Sequence, residues 1–222
     1  MKIISALYDN KIKPYREMAV NMTRCLEKLG YHNYEVRSLS NNPNIEEDPN
    51  NGYYMPVFME KLPGIRLLMN QTGDDVFWID VDCLVRERFN EIAQDCDMCF
   101  TVRRPTKHKN MFDGYLNGGV FFLKNCQAVK SFLEHWIEVN KKAKYGDQQS
   151  LTEILLKFDD LQSPKTFDVM GCKTKTVSCD TYNHFYFDGS EKAAKILHFK
   201  GQFDRRLYQY WVDKTLGEPN AV

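Results

Sequence analysis

The sequence lacks the features of a membrane protein or a nucleic-acid-binding protein. No apolar run approaches the roughly 20 residues of a transmembrane helix, and the first residues lack the apolar region of a signal peptide. The 30 basic and 30 acidic residues give a formal net charge of +0, so no overall field attracts a polyanion. We therefore expect no membrane span and no nucleic-acid partner.

The sequence also has no cysteine framework. Its 7 cysteines are odd in number and lie mostly in apolar segments, with Cys96 and Cys99 forming a C-x-x-C pair. The nearest possible partners for a zinc site, Cys172 and Cys179, have unsuitable spacing. We interpret the cysteines as structural thiols in a reducing compartment, which predicts a cytoplasmic protein.

Strand and helix patterns alternate in the first third of the chain, which predicts right-handed β–α–β units. At 222 residues the chain is long enough for one substantial core. The second half is more mixed, so we expect an α/β single domain with a mixed, mostly parallel sheet flanked by helices. The predicted strands are 3–8, 34–39, 76–79, 97–102, 115–123, 176–178 and 196–199; the predicted helices are 18–29, 59–69, 129–139 and 147–156; residues 41–52 are predicted to form a loop.

Two aspartates, Asp80 and Asp82, stand between apolar residues 76–79 and 83–85. Desolvating a carboxylate costs several kcal/mol, so this setting disfavours the ordinary interpretation of a solvated turn. In an extended segment both side chains point to the same side, where they repel each other unless a cation lies between them. Mg²⁺ and Mn²⁺ prefer oxygen ligands. The pair therefore predicts a divalent metal site at the end of a strand, where such sheets bind ligands.

Several short motifs follow one another in a specific order. They are Tyr8-Asp9 at the end of the first predicted strand, Asp80-Val81-Asp82, Asn117-Gly118-Gly119, Gly146-Asp147-Gln148 and His198-Phe199-Lys200-Gly201. This order resembles the nucleotide-sugar glycosyltransferases of the Rossmann-like GT-A fold, most of all the family 8-like group, and a more distant similarity is to glycosyltransferase domains of large algal viruses. The resemblance implies a GT-A domain over 1–215, with 216–222 a tail or the start of a linker.

The resemblance implies that Mn²⁺ or Mg²⁺ is bound directly by Asp82 and by His198, and that Asp80 holds the metal or the donor ribose and sugar. Val81 lies in the same donor-binding segment. Taken alone, His198 would be interpreted as a hydrogen-bonded core histidine. Lys200 and Gly201 are implied to contact the donor phosphates. The Lys-Pro-Trp that often follows in the family is missing here, and Arg205 is a possible substitute.

The resemblance also implies contacts to the rest of the donor. Ala6, Tyr8 and Asp9 lie where the family binds the nucleoside, and Lys61 is a further donor-contact candidate. For Lys61, as for Arg66 on the same predicted helix, we favour a solvated helix face.

Three residues are implied to be catalytic, assisted by backbone at Gly118. Asn117 would contact the donor sugar, Asp147 would bind a sugar or acceptor hydroxyl, and Gln148 would lie near the anomeric centre. Ordinary interpretations exist for each motif: a turn before a strand for Asn117-Gly118, and N-terminal capping of a helix for Asp147. The basic segment 103–109 would fold over the diphosphate or reach an acceptor, although we favour simple solvation.

The implied activity is metal-dependent transfer of a sugar from a nucleoside diphosphate, UDP rather than GDP, to a hydroxyl of a glycan or glycoprotein. No carboxylate stands out as the base of an inverting displacement, so we expect retention. The expected location is the cytoplasm, or the host cytoplasm for a viral chain. One alternative is a haloacid-dehalogenase-type phosphatase, with Asp159 and Asp160 as its late acidic pair. Another is a non-catalytic module that binds sugar nucleotides.

Overall fold

The computed structural model describes residues 1–7, 14–38, 54–104, 115–143, 146–200 and 204–217. Its strands are β1 Lys2–Leu7, β2 Tyr34–Ser38, β3 Val76–Ile79, β4 Cys83–Val85, β5 Met98–Val102, β6 Leu116–Leu123, β7 Thr166–Val169, β8 Cys172–Ser178 and β9 Ile196–His198. Its helices are α1 Tyr15–Lys28, α2 Tyr54–Thr72, α3 Gln127–Asn140, α4 Asp147–Leu155, α5 Cys179–Tyr182 and α6 Arg205–Leu216.

The main sheet has seven strands in the order β2-β1-β3-β6-β5-β8-β7. Strand β1 pairs in parallel with β2 and β3, and β5 pairs in parallel with β8. The remaining pairs are antiparallel, so that β6 and β7 alone run against the other strands of this sheet. The prediction of a mixed, mostly parallel sheet in one α/β domain is confirmed.

Buried side chains cover both faces of this sheet. Because successive side chains of a strand point to opposite faces, Phe77 and Ile79 join the cluster formed with α1 and α6, whereas Val76 and Trp78 join the cluster formed with α2, α3 and α4. Strand β3 is therefore apolar throughout because both of its faces are covered.

A second sheet places distant parts of the chain side by side. Strands β4 and β9 pair antiparallel, with Cys83 directly opposite His198. The amide of Phe199 donates to the carbonyl oxygen of Asp82 at 2.9 Å. The residue before β4 and the last residue of β9 are therefore neighbours because of the backbone pairing alone.

Four of these strands and helices were missed by the sequence analysis, namely β4, β7, α5 and α6. The predicted strand 176–178 is the end of β8, which forms a hairpin with β7 through Met170 and Gly171, both at positive φ (54° and 77°). Helix α6 was not predicted, although Asp204 caps its start with hydrogen bonds to two backbone amides and Gly217 follows its last residue at φ 75°. Among the described residues, no helix is both long enough and apolar enough to span a membrane.

Candidate active site

Asp80 and Asp82 lie in the turn that joins β3 to β4. The amide of Asp80 donates to the carbonyl oxygen of Gly119 at 2.7 Å, and the amide of Cys83 donates to the carbonyl oxygen of Asp80 at 2.9 Å. The first bond continues the pairing of β3 with β6 by one residue, and the second closes the turn. Both carboxylates are thereby fixed at the end of β3, as the sequence predicts, but in a turn and not in the extended segment that we expected. Val81 lies buried between them.

His198 meets these aspartates across the β4–β9 pair. Its Nε2 lies 3.1 Å from Asp82 Oδ1 and 3.9 Å from Asp80 Oδ2. A ring nitrogen and a carboxylate oxygen approach this closely only with a proton or a cation between them. Two carboxylates and one imidazole form a donor set that suits Mn²⁺ and, less well, Mg²⁺. The residues present therefore fit the predicted metal ion.

A glycine of β6 leaves the space in which the His198 ring lies. A Cβ atom placed on Gly119 would lie 2.5 Å from His198 Cε1, 2.6 Å from His198 Nδ1 and 3.1 Å from Asp80 Oδ2. Real Cβ atoms do not approach other atoms as closely as the two His198 distances, and the distance to Asp80 is a tight contact. A side chain at position 119 would thus displace His198 and crowd Asp80.

The carboxylate of Asp80 is held in one orientation. Trp78 Nε1 donates to Asp80 Oδ1 at 2.6 Å, and the ammonium group of Lys61 lies 3.4 Å from the same oxygen. The other oxygen, Oδ2, is the one that faces His198. Asp80 is thereby positioned to offer one oxygen toward the space shared with His198.

Lys61 is buried, so the solvated helix face that we favoured for it is wrong. Its Nζ lies 2.9 Å from Asp147 Oδ2 and donates to the carbonyl oxygen of Gly118 at 2.8 Å. It also lies over the rings of Trp78 and Phe121. Burial alone would lower the pKa of Lys61, but the carboxylates of Asp147 and Asp80 outweigh it and hold that pKa above its ordinary value. Lys61 is therefore the cation that links Asp80 to Asp147.

Replacing Lys61 with methionine should strongly destabilise the chain. The side chain of Asp147 is only 5% exposed, and a buried carboxylate that loses its partner costs about 3–5 kcal/mol. We expect that loss in urea unfolding of Lys61→Met, and recovery of most of it in the double variant Lys61→Met/Asp147→Asn. Equal stability of Lys61→Met and the wild type would contradict this role.

Arg66→Met is the matched control on the same helix. Arg66 pairs with Glu134 at 3.4 Å, and both side chains are about half exposed. Such surface pairs contribute about 0–1 kcal/mol, so this variant should unfold close to the wild type. The solvated interpretation of Arg66 agrees with the structure.

Asp147 does not cap its helix, so the capping interpretation is wrong. The N-cap of α4 is Gly146, at φ 87°, and Asp147 is the first helical residue. Its carboxylate turns instead to Lys61, and its backbone carbonyl accepts from Trp136 Nε1 at 3.1 Å. A Cβ atom on Gly118 would lie 3.3 Å from Asp147 Oδ2, so glycine allows β6 to approach the start of this helix closely.

The side-chain oxygen of Gln148 collects several donors. Gly118 N lies 3.2 Å, Lys200 Nζ 3.1 Å and Arg103 Nη2 3.4 Å from Gln148 Oε1. Two cationic side chains thus lie close together beside the aspartates. Arg103 also lies over the ring of Phe185. We had favoured simple solvation for the basic segment 103–109, and this interpretation is wrong for Arg103.

The remaining predicted residues are placed as follows. Asn117 is 2% exposed; its Oδ1 accepts from the Gly119 amide, and its Nδ2 lies 3.5 Å from His198 Nδ1. Ala6 belongs to β1, whereas Tyr8, Asp9, Gly201 and residues 105–109 lie outside the described residues. Arg205 forms an exposed pair with Glu17 at 3.1 Å, so the structure directs it to α1 rather than to the phosphate role that we suggested.

The structure adds residues that the sequence analysis did not propose. Asn183 and Cys83 are both buried: Asn183 Oδ1 lies 2.8 Å from His198 Nδ1, and the sulfur of Cys83 lies within 4.8 Å of ligand atoms of Asp82 and His198. No local motif marks either residue. A hard ion such as Mn²⁺ prefers the carboxylate and imidazole groups over a thiolate, so we leave Cys83 out of the ligand set.

A second group of possible metal ligands comprises His184, Asp188 and Glu191. It suits a cation poorly, since the guanidinium of Arg104 already lies 3.2 Å from Asp188 Oδ2. Ser190 donates to the other oxygen of Asp188, and the amide of Gly189 donates to Glu191 at 2.7 Å. These carboxylates are already paired, and the first group fits a metal ion better.

Comparison with known proteins identifies relatives of the whole chain. Residues 21–212 match the family model described as nucleotide-diphospho-sugar transferase. No curated protein sequence matches the chain significantly. The family match therefore spans both predicted metal-binding segments.

Solved structures share the fold at low sequence identity. A glycosyltransferase involved in glycosylation of the major capsid of PBCV-1 is 11% identical, with a TM-score of 0.63 and 98% of each chain covered. The galactosyltransferase LgtC, in complex with donor and acceptor sugar analogues, is 13% identical, with a TM-score of 0.57 and coverage of 100% of this chain and 97% of that one. The bifunctional glycosyltransferase WbbM is 12% identical, with a TM-score of 0.60 and coverage of 98% of this chain and 50% of that one. These likenesses establish the GT-A fold.

Proposed function

Since this chain belongs to the nucleotide-diphospho-sugar transferase family and is a transferase enzyme of that kind, we propose that it moves a sugar from a UDP-sugar to a hydroxyl group of a glycan or glycoprotein, with Mn²⁺ or Mg²⁺ and with retention of configuration. The observation that carries the proposal is the convergence of Asp80 Oδ2, Asp82 Oδ1 and His198 Nε2 at the end of β3. The cytoplasmic location stays a prediction.

The proposed metal ion would be held by Asp80, Asp82 and His198. When bound, it would neutralise negative charge that develops on the departing nucleoside diphosphate. The imidazole in this set favours Mn²⁺ over Mg²⁺, which binds oxygen ligands almost exclusively. LgtC was solved in complex with donor and acceptor sugar analogues, which supports a sugar donor for this chain.

Lys200 and Arg103 would add positive charge beside the same diphosphate. Both reach the side-chain oxygen of Gln148, so their cationic groups converge there. Two neighbouring cations repel each other, and an anionic phosphate between them would relieve the repulsion. We propose Lys200 as a phosphate contact and Arg103 as its partner. They would replace the lysine of the family's Lys-Pro-Trp motif, which this chain lacks.

Retention is supported by the pairing of the carboxylates at the site. An inverting transfer needs a base that can take the proton of the acceptor hydroxyl. Among the described residues of the site, Asp80 and Asp147 are paired with Lys61, and Asp82 is paired with His198. These carboxylates are engaged in holding the site together. We therefore assign Asp147 to positioning and Gln148 to the vicinity of the anomeric centre.

The proposal is tested by calorimetric titration with UDP, GDP and their common sugar conjugates, each with Mn²⁺ and with EDTA. We expect binding of a UDP-sugar that requires Mn²⁺. Slow release of the sugar, with the anomeric configuration of the donor retained in the NMR spectrum of the product, would support the enzyme and its stereochemistry. The inverted anomer would contradict retention.

The same titration separates the alternatives. Metal-dependent binding without turnover, in the presence of every acceptor tried, would favour a sugar-nucleotide-binding module. Cleavage of simple phosphate esters without nucleotide binding would favour the phosphatase. The structure gives that alternative little support, because Asp159 and Asp160 both pair with Lys165 at 2.7 Å in the turn after α4.

A further inference from the structure

Asn183 lies directly behind the proposed metal site and is fixed there by backbone bonds. It follows α5, and its amide donates to the carbonyl oxygen of Cys179 at 3.0 Å. The next residue, His184, donates to Ile196 O at 3.0 Å and accepts from the amide of His198 at 2.7 Å. The backbone at Asn183 is therefore attached to β9, the strand that carries His198.

The orientation of the Asn183 amide follows from its neighbours. Its Nδ2 lies 3.0 Å from Asn117 O and 2.9 Å from Thr101 Oγ1. The hydroxyl of Thr101 donates its own hydrogen to Asn117 O at 2.8 Å and therefore needs a donor from Asn183. A carbonyl oxygen in place of Nδ2 would face two acceptors, so the side-chain oxygen of Asn183 must point the other way.

That oxygen points at His198. Asn183 Oδ1 and His198 Nδ1 are 2.8 Å apart, and both residues are buried, with 0% and 2% exposed. An oxygen acceptor at this distance requires a hydrogen on Nδ1. The competing contact, from Asn117 Nδ2 to the same ring nitrogen, is 3.5 Å long and is the weaker of the two.

We infer that Asn183 is a positioning residue for the metal site: it holds the hydrogen of His198 on Nδ1, and the Nε2 lone pair is thereby presented to the cation. The inference rests on the proposed function, because the cation is part of that proposal. Hydrogen bonds of this kind fix the tautomer and the ring orientation of metal-binding histidines. Asn183 itself touches neither the metal nor the donor.

The first test measures the tautomer without any metal. Side-chain ¹⁵N NMR of the metal-free chain should show a hydrogen on His198 Nδ1, in addition to any proton that lies between Nε2 and Asp82. In Asn183→Leu the hydrogen on Nδ1 should be lost, at least in part. Asn183→Asp retains an oxygen acceptor toward His198 and should retain the hydrogen on Nδ1, but its second oxygen faces Asn117 O and Thr101 Oγ1 and should lower stability. A wild-type chain with an unprotonated Nδ1, or the same tautomer in Asn183→Leu, would overturn the inference.

The second test measures binding of Mn²⁺ alone by calorimetry. Asn183→Leu should bind Mn²⁺ about 10- to 100-fold more weakly than the wild type, and Asn183→Asp should recover most of that loss. Asn21→Leu is the matched control, because Asn21 is also buried and donates to Tyr208 at 3.1 Å. It should lose stability without losing Mn²⁺ affinity.

The outcomes separate this inference from the proposed function. Thermal unfolding of each variant shows whether a loss of affinity is merely a loss of folded chain. Unchanged Mn²⁺ affinity in Asn183→Leu would overturn the positioning role. A wild-type chain that shows the Nδ1 tautomer but does not bind Mn²⁺ would instead overturn the metal dependence of the proposed function, with the orienting contact of Asn183 upheld.

Discussion

Asp82→Ala is expected to abolish Mn²⁺-dependent binding of the donor while leaving the chain folded. Asp82 Oδ1 lies 3.1 Å from His198 Nε2, so the variant removes an oxygen from the centre of the proposed ligand set. The loss of Mn²⁺ affinity should exceed the roughly 10- to 100-fold effect of losing a hydrogen bond to a ligand. The backbone bond from Phe199 N to Asp82 O does not involve the side chain, so the β4–β9 pair should survive.

Thermal unfolding with and without Mn²⁺ measures both halves of this expectation. A ligand at 100 times its Kd stabilises a chain by about 2.7 kcal/mol, and that increment should vanish in Asp82→Ala. Without Mn²⁺ the variant should differ from the wild type by about 1 kcal/mol or less. Asp188→Ala, in the second acidic group, is the control and should keep the increment. Retained Mn²⁺-dependent donor binding in Asp82→Ala would show that the metal site is misassigned.

Gly119→Ala is expected to damage the same site from the opposite strand. The added Cβ would lie 2.5 Å from His198 Cε1, and β6 is a central strand that cannot retreat, because β3 and β5 flank it. Relief must come from the His198 ring, which would move away from Asp82. We expect Mn²⁺ affinity to fall by about 10- to 100-fold or more and stability to fall by about 1–3 kcal/mol from overpacking.

Two further glycines make this expectation a graded series. Gly64→Ala adds a Cβ within helix α2 that meets only Arg37 Nη1 at 3.9 Å, so it should raise stability by about 0.5–1 kcal/mol without changing Mn²⁺ affinity. The Cβ added in Gly118→Ala would lie 3.3 Å from Asp147 Oδ2. The Mn²⁺ affinity of this variant should lie between those of Gly64→Ala and Gly119→Ala. Calorimetric Mn²⁺ titration of all three variants checks the order. Wild-type affinity in Gly119→Ala would contradict the close approach of β6 to His198.

Local sequence predicted the end of strand β3 at Asp80 and Asp82 because the signal there is short-range, but it did not predict the turn that the two aspartates form. The apolar residues of β3 are buried on both faces, and the two carboxylates follow at once. The site residues that are distant in sequence could not be predicted from local patterns. His198 was interpretable only through the resemblance, because its position opposite Cys83 is set by strand pairing between distant segments.

Lys61 could have been recognised from the sequence as a buried residue. It lies four residues before Ile65 and eight before Met69, a spacing that places all three on one face of α2. Ile65 and Met69 are both buried. A lysine on an apolar stripe must find a carboxylate, and Asp147 is that partner. Asn183 offered no such signal. Its role depends on side-chain contacts with Thr101, Asn117 and His198, which arise only from the tertiary fold.

The pairing of β4 with β9 also gives the proposed ion a second effect, on the dynamics of the chain. A cation bound to both Asp82 and His198 closes a covalent and coordinate loop that contains β5, β6, β7 and β8. Closing so long a loop restricts the unfolded chain, and β9 is only three residues long. The bound metal would thus stabilise β9 and α6 against local unfolding, which would become rarer as the Mn²⁺ concentration rises.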